Sequence, residues 1–246
     1  MLQPSTMQEF LDFNTMSIEE QVTHVKKTLA AQAPQPTELE PFLTKHIDLE
    51  KFETISLQEQ RKFVSSDVIM LIREHLERIM EVLVPDTASL TRDAIEKYKT
   101  DMDEFQLLGQ LFHIIKIFSR VEDNITYVTT TNIITQITLA MENFSDDLYI
   151  QKSACSALVN ILPDEKNSAK FIELQGIPLI LRGLRKFVDD EELTGSSCAA
   201  LANVAHASSA FIPVLAENNV LDNVLAAMIA HPTNPIILGK GLAVIR

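Results

Sequence analysis

The chain has 246 residues, of which 46% are hydrophobic and only 6 are glycine. This composition provides for a continuous apolar core, argues against overall disorder and favours helices over sheets. The formal net charge of -13 disfavours binding to nucleic-acid phosphates and to anionic membrane surfaces. Because the N-terminal residues lack a signal-peptide pattern and no apolar run reaches membrane-helix length, we expect a cytoplasmic protein without membrane insertion, or alternatively a nuclear one.

Residues 1–102 show no repeating period. Ser17 and Glu20 have the spacing of a capping box and predict the start of a helix. A stronger helix is predicted over 66–84, where apolar residues recur at helical spacing before Pro85. We expect residues 1–102 to form an irregular helical layer that caps the first repeat. A separate partner-binding or autoinhibitory element is the alternative.

From residue 103 onward, a block recurs at a spacing of 43 to 44 residues, most clearly SACSALVNIL (153–162) and SCAALANVA (197–205). A fixed period of this length is typical of a solenoid, in which each unit buries its apolar face against its neighbours. One long helix is predicted in each unit, over about 103–119, 146–162, 191–206 and from 234 to the end. The chain reaches Arg246 early in the last of these helices, which suggests a fragment or a covered end.

Two pairs of equivalent positions follow from this alignment. Cys155 and Cys198 occupy the same place in successive units, so we expect both to be buried, reduced core residues rather than metal ligands or nucleophiles. In the last unit, a shorter gap of 41 residues aligns Leu242 with Leu201.

A second pattern lies between the long helices. In the segment containing Gly176, Ile177 and Pro178, one short helix is predicted to end at the glycine and another to start at the following residues. Asn132 and Asn219 stand at the equivalent points. Because glycine and asparagine tolerate positive φ best, we expect a left-handed backbone at all three positions.

With a Gly-Ile-Pro turn and a long helix carrying Ala157, Leu158 and Asn160, the unit resembles an armadillo repeat over roughly residues 103–246. The resemblance implies an all-α fold, an armadillo-type right-handed α-solenoid with an N-terminal irregular helical cap. Its domains would be the 1–102 cap region and the 103–246 armadillo repeats, about three of them plus the start of another truncated at the C-terminus.

In armadillo proteins, the long third helices line a concave face, and the repeated asparagine contacts a bound chain. Carried over to this sequence, that role falls on Asn160 and Asn203, with an asparagine that bonds within its own repeat as the alternative. The predicted partner-binding residues are these two together with His113, Lys152, Ser156, Ala199 and Lys240. The chain has no tryptophan, so it departs from the nuclear-import adaptor type, whose tryptophans form slots for lysine side chains.

We therefore expect a non-catalytic protein–protein interaction module or scaffold that holds a partner along the concave groove, without cofactor or metal. The partner would be an extended peptide or a folded protein. The alternative is a regulatory, Rho-family GTPase-binding region of a formin-like cytoskeletal protein, because an irregular helical N-terminus before armadillo repeats resembles the layout of diaphanous-type formins. An enzyme is the third class, for which the sequence offers no nucleophile–base or metal constellation.

Overall fold

The structure is a computed structural model. It describes residues 130–246 continuously and, before them, residues 73, 77, 108, 109, 111–113, 115, 116, 119, 120, 125 and 128. The chain divides into two units, Met1–Leu107 and Leu108–Arg246. Almost all described residues belong to the second unit. The predicted helical cap over 1–102 lies outside the described residues, except for Arg73 and Glu77, and the predicted domain boundary stays a prediction.

All the regular secondary structure described in the second unit is helical, as predicted. Its continuous part contains α1 (Ile133–Asn143), α2 (Leu148–Ile161), α3 (Glu165–Glu173), α4 (Gly176–Lys186), α5 (Glu191–Ala207), a 3-10 turn (Ser209–Phe211), α6 (Ile212–Glu217), α7 (Val220–Ala230) and α8 (Pro235–Ile245). The described residues between 108 and 116 are also helical. A complete unit therefore consists of a short first helix, a second helix and a long third helix, as in α3, α4 and α5.

Each long third helix begins after a residue whose side chain caps it. Asp147, Asp190 and Asn234 precede α2, α5 and α8, and each accepts a hydrogen bond from a backbone N–H in the first turn. Such a cap satisfies a donor that the helix itself leaves unpaired, so it fixes the residue at which the helix starts. These capping residues supply the register for comparing the repeats.

The predicted alignment of the last third helix is wrong. Measured from the caps, Ile245 is the counterpart of Leu201, and Leu242 is the counterpart of Cys198. The buried residues agree with this register, because Leu193 and Ile237, each three residues after its cap, are both 0% exposed. Leucine and alanine recur every three to four residues in such helices, so a shift of one turn still gives a plausible sequence match.

The predicted turn conformation is right at one position and wrong at two. Asn219 has φ 54°, but Asn132 has φ -80° and no glycine has positive φ among the described residues. The left-handed residue in the middle repeat is Gln175, with φ 58°. Gly176 instead opens α4, where an added Cβ would lie 2.2 Å from Cε2 of Phe171. Glycine is needed there because a buried ring packs against its backbone.

The helices of consecutive repeats stack in layers. Third helices pack side by side in the order α2, α5, α8, while α4 packs against α1 on one side and α7 on the other. The core lies between these layers and includes Cys155 and Cys198, both 0% exposed and neither in a disulfide, which confirms their predicted burial. This stacking leaves one side of each third helix outside the core, and that side holds the candidate site.

Candidate functional site

The candidate site is one side of the third helices, where most residues are exposed or half-buried and only Gly195 and Ala199 are buried. On α2, residues spaced three to four apart along one side form it, and the residues at the same distance from the caps extend it across α5 and α8. We call this surface the third-helix face. Its residues are Tyr149, Lys152, Ser153, Ser156 and Asn160 on α2; Glu192, Gly195, Ser196, Ala199 and Asn203 on α5; and Ile236, Gly239, Lys240 and Ala243 on α8.

The two repeated asparagines connect neighbouring third helices. Nδ2 of Asn160 donates to the Lys116 carbonyl at 2.7 Å, and Nδ2 of Asn203 donates to the Val159 carbonyl at 2.6 Å. In both cases, donor and acceptor are 44 residues apart. The predicted alternative, a bond within the asparagine's own repeat, is therefore wrong, because the acceptor belongs to the preceding repeat. Each amide still has its Oδ1 acceptor and a second N–H to offer a partner.

On α5, the carbonyl equivalent to those of Lys116 and Val159 has a different donor. The carbonyl of Ala202 stands directly before Asn203, as the carbonyl of Val159 stands before Asn160. It accepts a hydrogen bond from Nδ1 of His206 at 2.6 Å. This bond requires the imidazole tautomer that carries its proton on Nδ1. His206 thus bonds to the Ala202 carbonyl, which is the counterpart of the carbonyls that accept from Asn160 and Asn203.

Lys152 is also engaged in contacts between repeats. Its ammonium lies 3.0 Å from Oε2 of Glu192 and 3.9 Å from Oδ2 of Asp190. The hydrogen bond with Glu192 raises the pKa of Lys152, partly opposed by desolvation. Two carboxylates surround one ammonium, so this edge of the third-helix face carries local negative charge. Lys152, a predicted partner-binding residue, is held by its neighbours rather than extended toward solvent.

Glycines occupy the position of Lys152 in the flanking third helices. A Cβ on Gly109 would lie 2.0 Å from Cε1 of Tyr149 in the next third helix. A Cβ on Gly195 of α5 would lie 3.7 Å from Cγ2 of Ile236 in α8. At each step, one residue near the start of a third helix therefore packs against this position of the preceding one. The pairs differ in chemistry, being aromatic, ionic and aliphatic in turn.

The centre of the third-helix face has short side chains. Ser156 is half-buried, while Ala199 is 5% exposed and contributes only a methyl group to the surface. Their counterpart on α8 is Ala243, because the caps align Lys240 with Ser196 rather than with Ala199 as predicted. Lys240 is exposed, and His113, the counterpart of Ser156 in the preceding third helix, is half-buried and already engaged in a contact.

The structure thus brings together on one face the predicted residues of α2, α5 and α8. Their partner-binding role stays a prediction. Eight residues of this face are absent from the prediction, which are Tyr149, Ser153, Glu192, Gly195, Ser196, Ile236, Gly239 and Ala243. Helical spacing would have found most of them, because six lie three or four residues from a predicted residue of the same helix: Tyr149, Ser153, Gly195, Ser196, Ile236 and Ala243. Glu192 lies seven residues, or two turns, before Ala199, and Gly239 adjoins Lys240.

The two cysteines have the properties of core residues. Burial raises the pKa of the Cys155 thiol to about 12, partly opposed by a hydrogen bond with Ser197, and raises that of Cys198 to about 11. Thiols with such pKa values are protonated and unreactive at neutral pH. Within the described part of the chain, no group of three or more His, Cys, Asp or Glu side chains could hold a metal ion.

Across the described residues, no single helix is long and apolar enough to cross a membrane. Only the pair Glu191–Ala207 and Ser209–Glu217, bent by 115°, reaches the length and composition of a span when taken together.

Comparison with known proteins gives one match. Residues 121–241 match the family model described as LRRK2 ARM repeat. No curated protein and no solved structure matches the chain. The armadillo repeat is a non-enzymatic fold that generally mediates protein–protein interaction. The matched residues include α1 to α7 and end within α8, so they coincide with the stacked three-helix units. This agreement identifies residues 121–241 as armadillo repeats.

Proposed function

We propose that the chain is a non-catalytic binding module that holds an extended segment of a partner protein along the third-helix face. The observation that carries the proposal is the arrangement of Asn160 and Asn203 on adjacent helices. Each amide is fixed by a bond to the preceding repeat, so its remaining hydrogen-bonding groups are held in place without a partner. A prearranged donor and acceptor costs less entropy on binding than a mobile one.

Two further properties of the face favour an extended chain. The short side chains of Ser156 and Ala199 let a peptide backbone approach the helices closely. Amides at regular spacing pair with main-chain groups, which every peptide carries whatever its side chains. The negative edge formed by Asp190 and Glu192 around Lys152 favours a ligand with neutral or basic residues over an acidic one.

The proposal can be tested with peptides selected from a random display library on the immobilised full chain. Affinity for an enriched peptide is then measured by fluorescence anisotropy. In the variant Ser156→Arg/Ser196→Arg, two long cationic side chains occupy the centre of the face without removing either asparagine bond. If the arginines keep the peptide from forming its hydrogen bonds with Asn160 and Asn203, at about 0.5–1.5 kcal/mol each, Kd should be roughly tenfold to hundredfold weaker.

The matched control is Ala169→Arg, which adds the same side chain at an exposed position of α3 away from the face. This variant should bind the peptide as the wild type does. Equal affinity in the double variant and the wild type would contradict the proposal. We prefer this test to replacing Asn160 and Asn203 themselves, because their loss would also weaken the stacking of the repeats.

The alternative, a Rho-family GTPase as the partner, places binding on the N-terminal region or on a repeat edge rather than on the third-helix face. A purified GTPase of that family, loaded with a GTP analogue or with GDP, separates the two. Binding that depends on the nucleotide and is unchanged by Ser156→Arg/Ser196→Arg would favour the alternative. If the GTPase binds in neither nucleotide state, the alternative is excluded and the peptide-binding proposal is unaffected.

A further inference from the structure

One contact between third helices is ionic where its neighbours are apolar. Lys152 of α2 stands at the position of Gly109 and Gly195 in the flanking third helices. Each of these glycines lies against a side chain of the following third helix, which is Tyr149 in one case and Ile236 in the other. At Lys152, the side chain comes from the preceding helix instead, and its ammonium reaches the carboxylates of α5. The place between α2 and α5 therefore holds a charged side chain where its two equivalents hold apolar ones.

The carboxylates that hold Lys152 belong to a run of four at the start of α5. The Lys152 ammonium lies 3.0 Å from Oε2 of Glu192 and 3.9 Å from Oδ2 of Asp190. Among the described residues, Oε1 of Glu192 has no hydrogen bond or ion pair, and neither has the exposed side chain of Asp189. Glu191 is engaged by a side chain of α8. One ammonium therefore leaves an excess of negative charge here, which attracts a further cation.

The ion pair of Lys152 is of a kind that a ligand can replace. The side chains of Lys152 and Glu192 are 29% and 62% exposed. Because water screens such charges, an exposed pair contributes at most about a fivefold factor to an equilibrium. The hydrogen bond with Glu192 raises the pKa of Lys152 although desolvation opposes it, so the carboxylates stabilise a cation at this place. When another cation takes the place, Lys152 turns to solvent and the charge between the helices stays the same.

This place lies within reach of a peptide on the third-helix face. Glu192 precedes Ala199, over which the main chain of the proposed ligand passes, by seven residues. Seven residues are about two helical turns, so the two lie on the same side of α5, about 10 Å apart along its axis. A lysine or arginine of the peptide, directed toward the start of α5, covers that distance together with the side chain of Glu192. Arginine also offers two parallel N–H groups to a carboxylate, which the Lys152 ammonium does not.

We propose that Lys152 is an internal competitor for the ligand of the third-helix face. Its ammonium occupies the place, between Asp190 and Glu192, that a lysine or arginine side chain of the bound peptide takes over. The inference rests on the proposed function and adds to it one ligand residue, the charge of that residue and the helix over which it lies. A peptide without a basic residue at this point leaves Lys152 in place, whereas a peptide with one displaces it and gains the contact with both carboxylates.

A selection experiment identifies the basic residue of the ligand. Random displayed peptides are selected on the immobilised full chain, as wild type and as Lys152→Ala, which keeps helix propensity high and leaves both asparagine bonds in place. We expect lysine or arginine at one fixed position of the peptides enriched on either protein. Its frequency should be higher on Lys152→Ala, because the competing ammonium is gone. Selection on Glu192→Gln should lose this preference, since a neutral amide holds a cation less well than a carboxylate does.

Affinity measurements then test the competition itself. Kd is measured by fluorescence anisotropy for one enriched peptide and for its twin, which carries glutamine in place of the basic residue. Lys152→Ala should bind the basic peptide about threefold to tenfold more tightly than the wild type does, because an exposed ion pair and a like charge are removed. It should bind the glutamine twin as the wild type does. The gain should shrink at about 0.5 M NaCl, because salt screens exposed charges.

The matched control is Lys170→Ala, which removes the same charge from an exposed pair with Glu173 on α3 and should leave both affinities unchanged. If Lys152→Ala lowers Tm by more than about 2 °C, Lys152→Gln replaces it. Equal tightening of both peptides would show that Lys152 only crowds the face, and it would overturn the inference, as would no tightening at all. In either case, weaker binding by Ser156→Arg/Ser196→Arg would still support the proposed function. If neither protein enriches any peptide, the proposed function fails and this inference with it.

Discussion

Substitution of Gly176 distinguishes two explanations for glycine at this position, which are the close packing of Phe171 and a backbone conformation that only glycine adopts easily. Replacing Gly176 with alanine adds a Cβ that would lie 2.2 to 2.4 Å from three carbons of the Phe171 ring. Normal contact between carbon atoms is about 3.5–4.0 Å, so the ring must move by more than about 1 Å. Phe171 is 0% exposed, so its ring is enclosed by neighbouring atoms that would have to move with it.

The expected net effect is a loss of stability. Overpacking a core costs about 1–3 kcal/mol, while alanine in place of glycine in a helix returns up to about 1 kcal/mol. We expect Gly176→Ala to lower the free energy of unfolding by about 1–2 kcal/mol. The matched control is Gly239→Ala in α8, where nothing lies within 4 Å of the added Cβ. That variant should be stabilised by about 0.5–1 kcal/mol, so the two substitutions should have opposite signs.

Urea denaturation of a double-mutant cycle tests the cause. Phe171→Leu shortens the side chain that the new methyl group meets, so in that background Gly176→Ala should cost little or nothing. The coupling between the two positions should be about 1–2 kcal/mol. Additive effects of the two substitutions would refute the packing explanation. A cost that remains in the leucine background would point back to a backbone requirement for glycine.

Two other predictions concern the thiols and the left-handed turn. Burial raises the pKa values of Cys155 and Cys198 from 9.0 to about 12 and about 11, so these thiols ionise at a lower pH in the unfolded chain than in the folded one. The stabilisation that comes from the two protonated thiols is therefore complete below pH 9 and is lost as pH rises through the folded pKa values. Between pH 9.5 and 10.5, the free energy of unfolding should fall by about 1.4 kcal/mol more per thiol than in Cys155→Ala/Cys198→Ala, and equal slopes in urea denaturation would contradict this. Gln175→Gly should raise the free energy of unfolding by about 0.5–1 kcal/mol, because φ 58° is strained for glutamine; Asn219→Gly should gain less, and the reverse order of the two would be evidence against strain at this turn.

The third helices could be predicted from sequence because several signals agree there. An acidic or amide cap precedes each one, and small and aliphatic residues follow at helical spacing. The register of α8 could not be predicted in the same way. Its aligned asparagine position falls after Arg246, so the most specific marker of the motif is missing. Only the position of the Asn234 cap resolves whether Leu242 or Ile245 matches Leu201.

The left-handed turn and the role of the asparagines show a different limit. Glycine is the usual residue at positive φ, so Gly176 attracted the prediction, although its neighbour Gln175 adopts that conformation. The clash that requires glycine involves Phe171, which the local pattern of the turn does not indicate. Likewise, Asn160 and Asn203 stand where a peptide-binding amide is expected, but each bonds to a carbonyl 44 residues away. Contacts at that distance follow from stacking, which a local sequence pattern does not contain.

The residues that recur from repeat to repeat therefore chiefly serve the stacking of the repeats. The two asparagines bond to neighbouring third helices, and the two cysteines fill the core. On our proposal, specificity for a partner comes from positions of the third-helix face that change between repeats. Tyr149, Glu192 and Ile236 stand at one such position, so a ligand crossing the three helices would meet an aromatic, an acidic and an aliphatic side chain in turn. On our proposal, the asparagines hold the ligand's main chain, and this changing row selects its side chains.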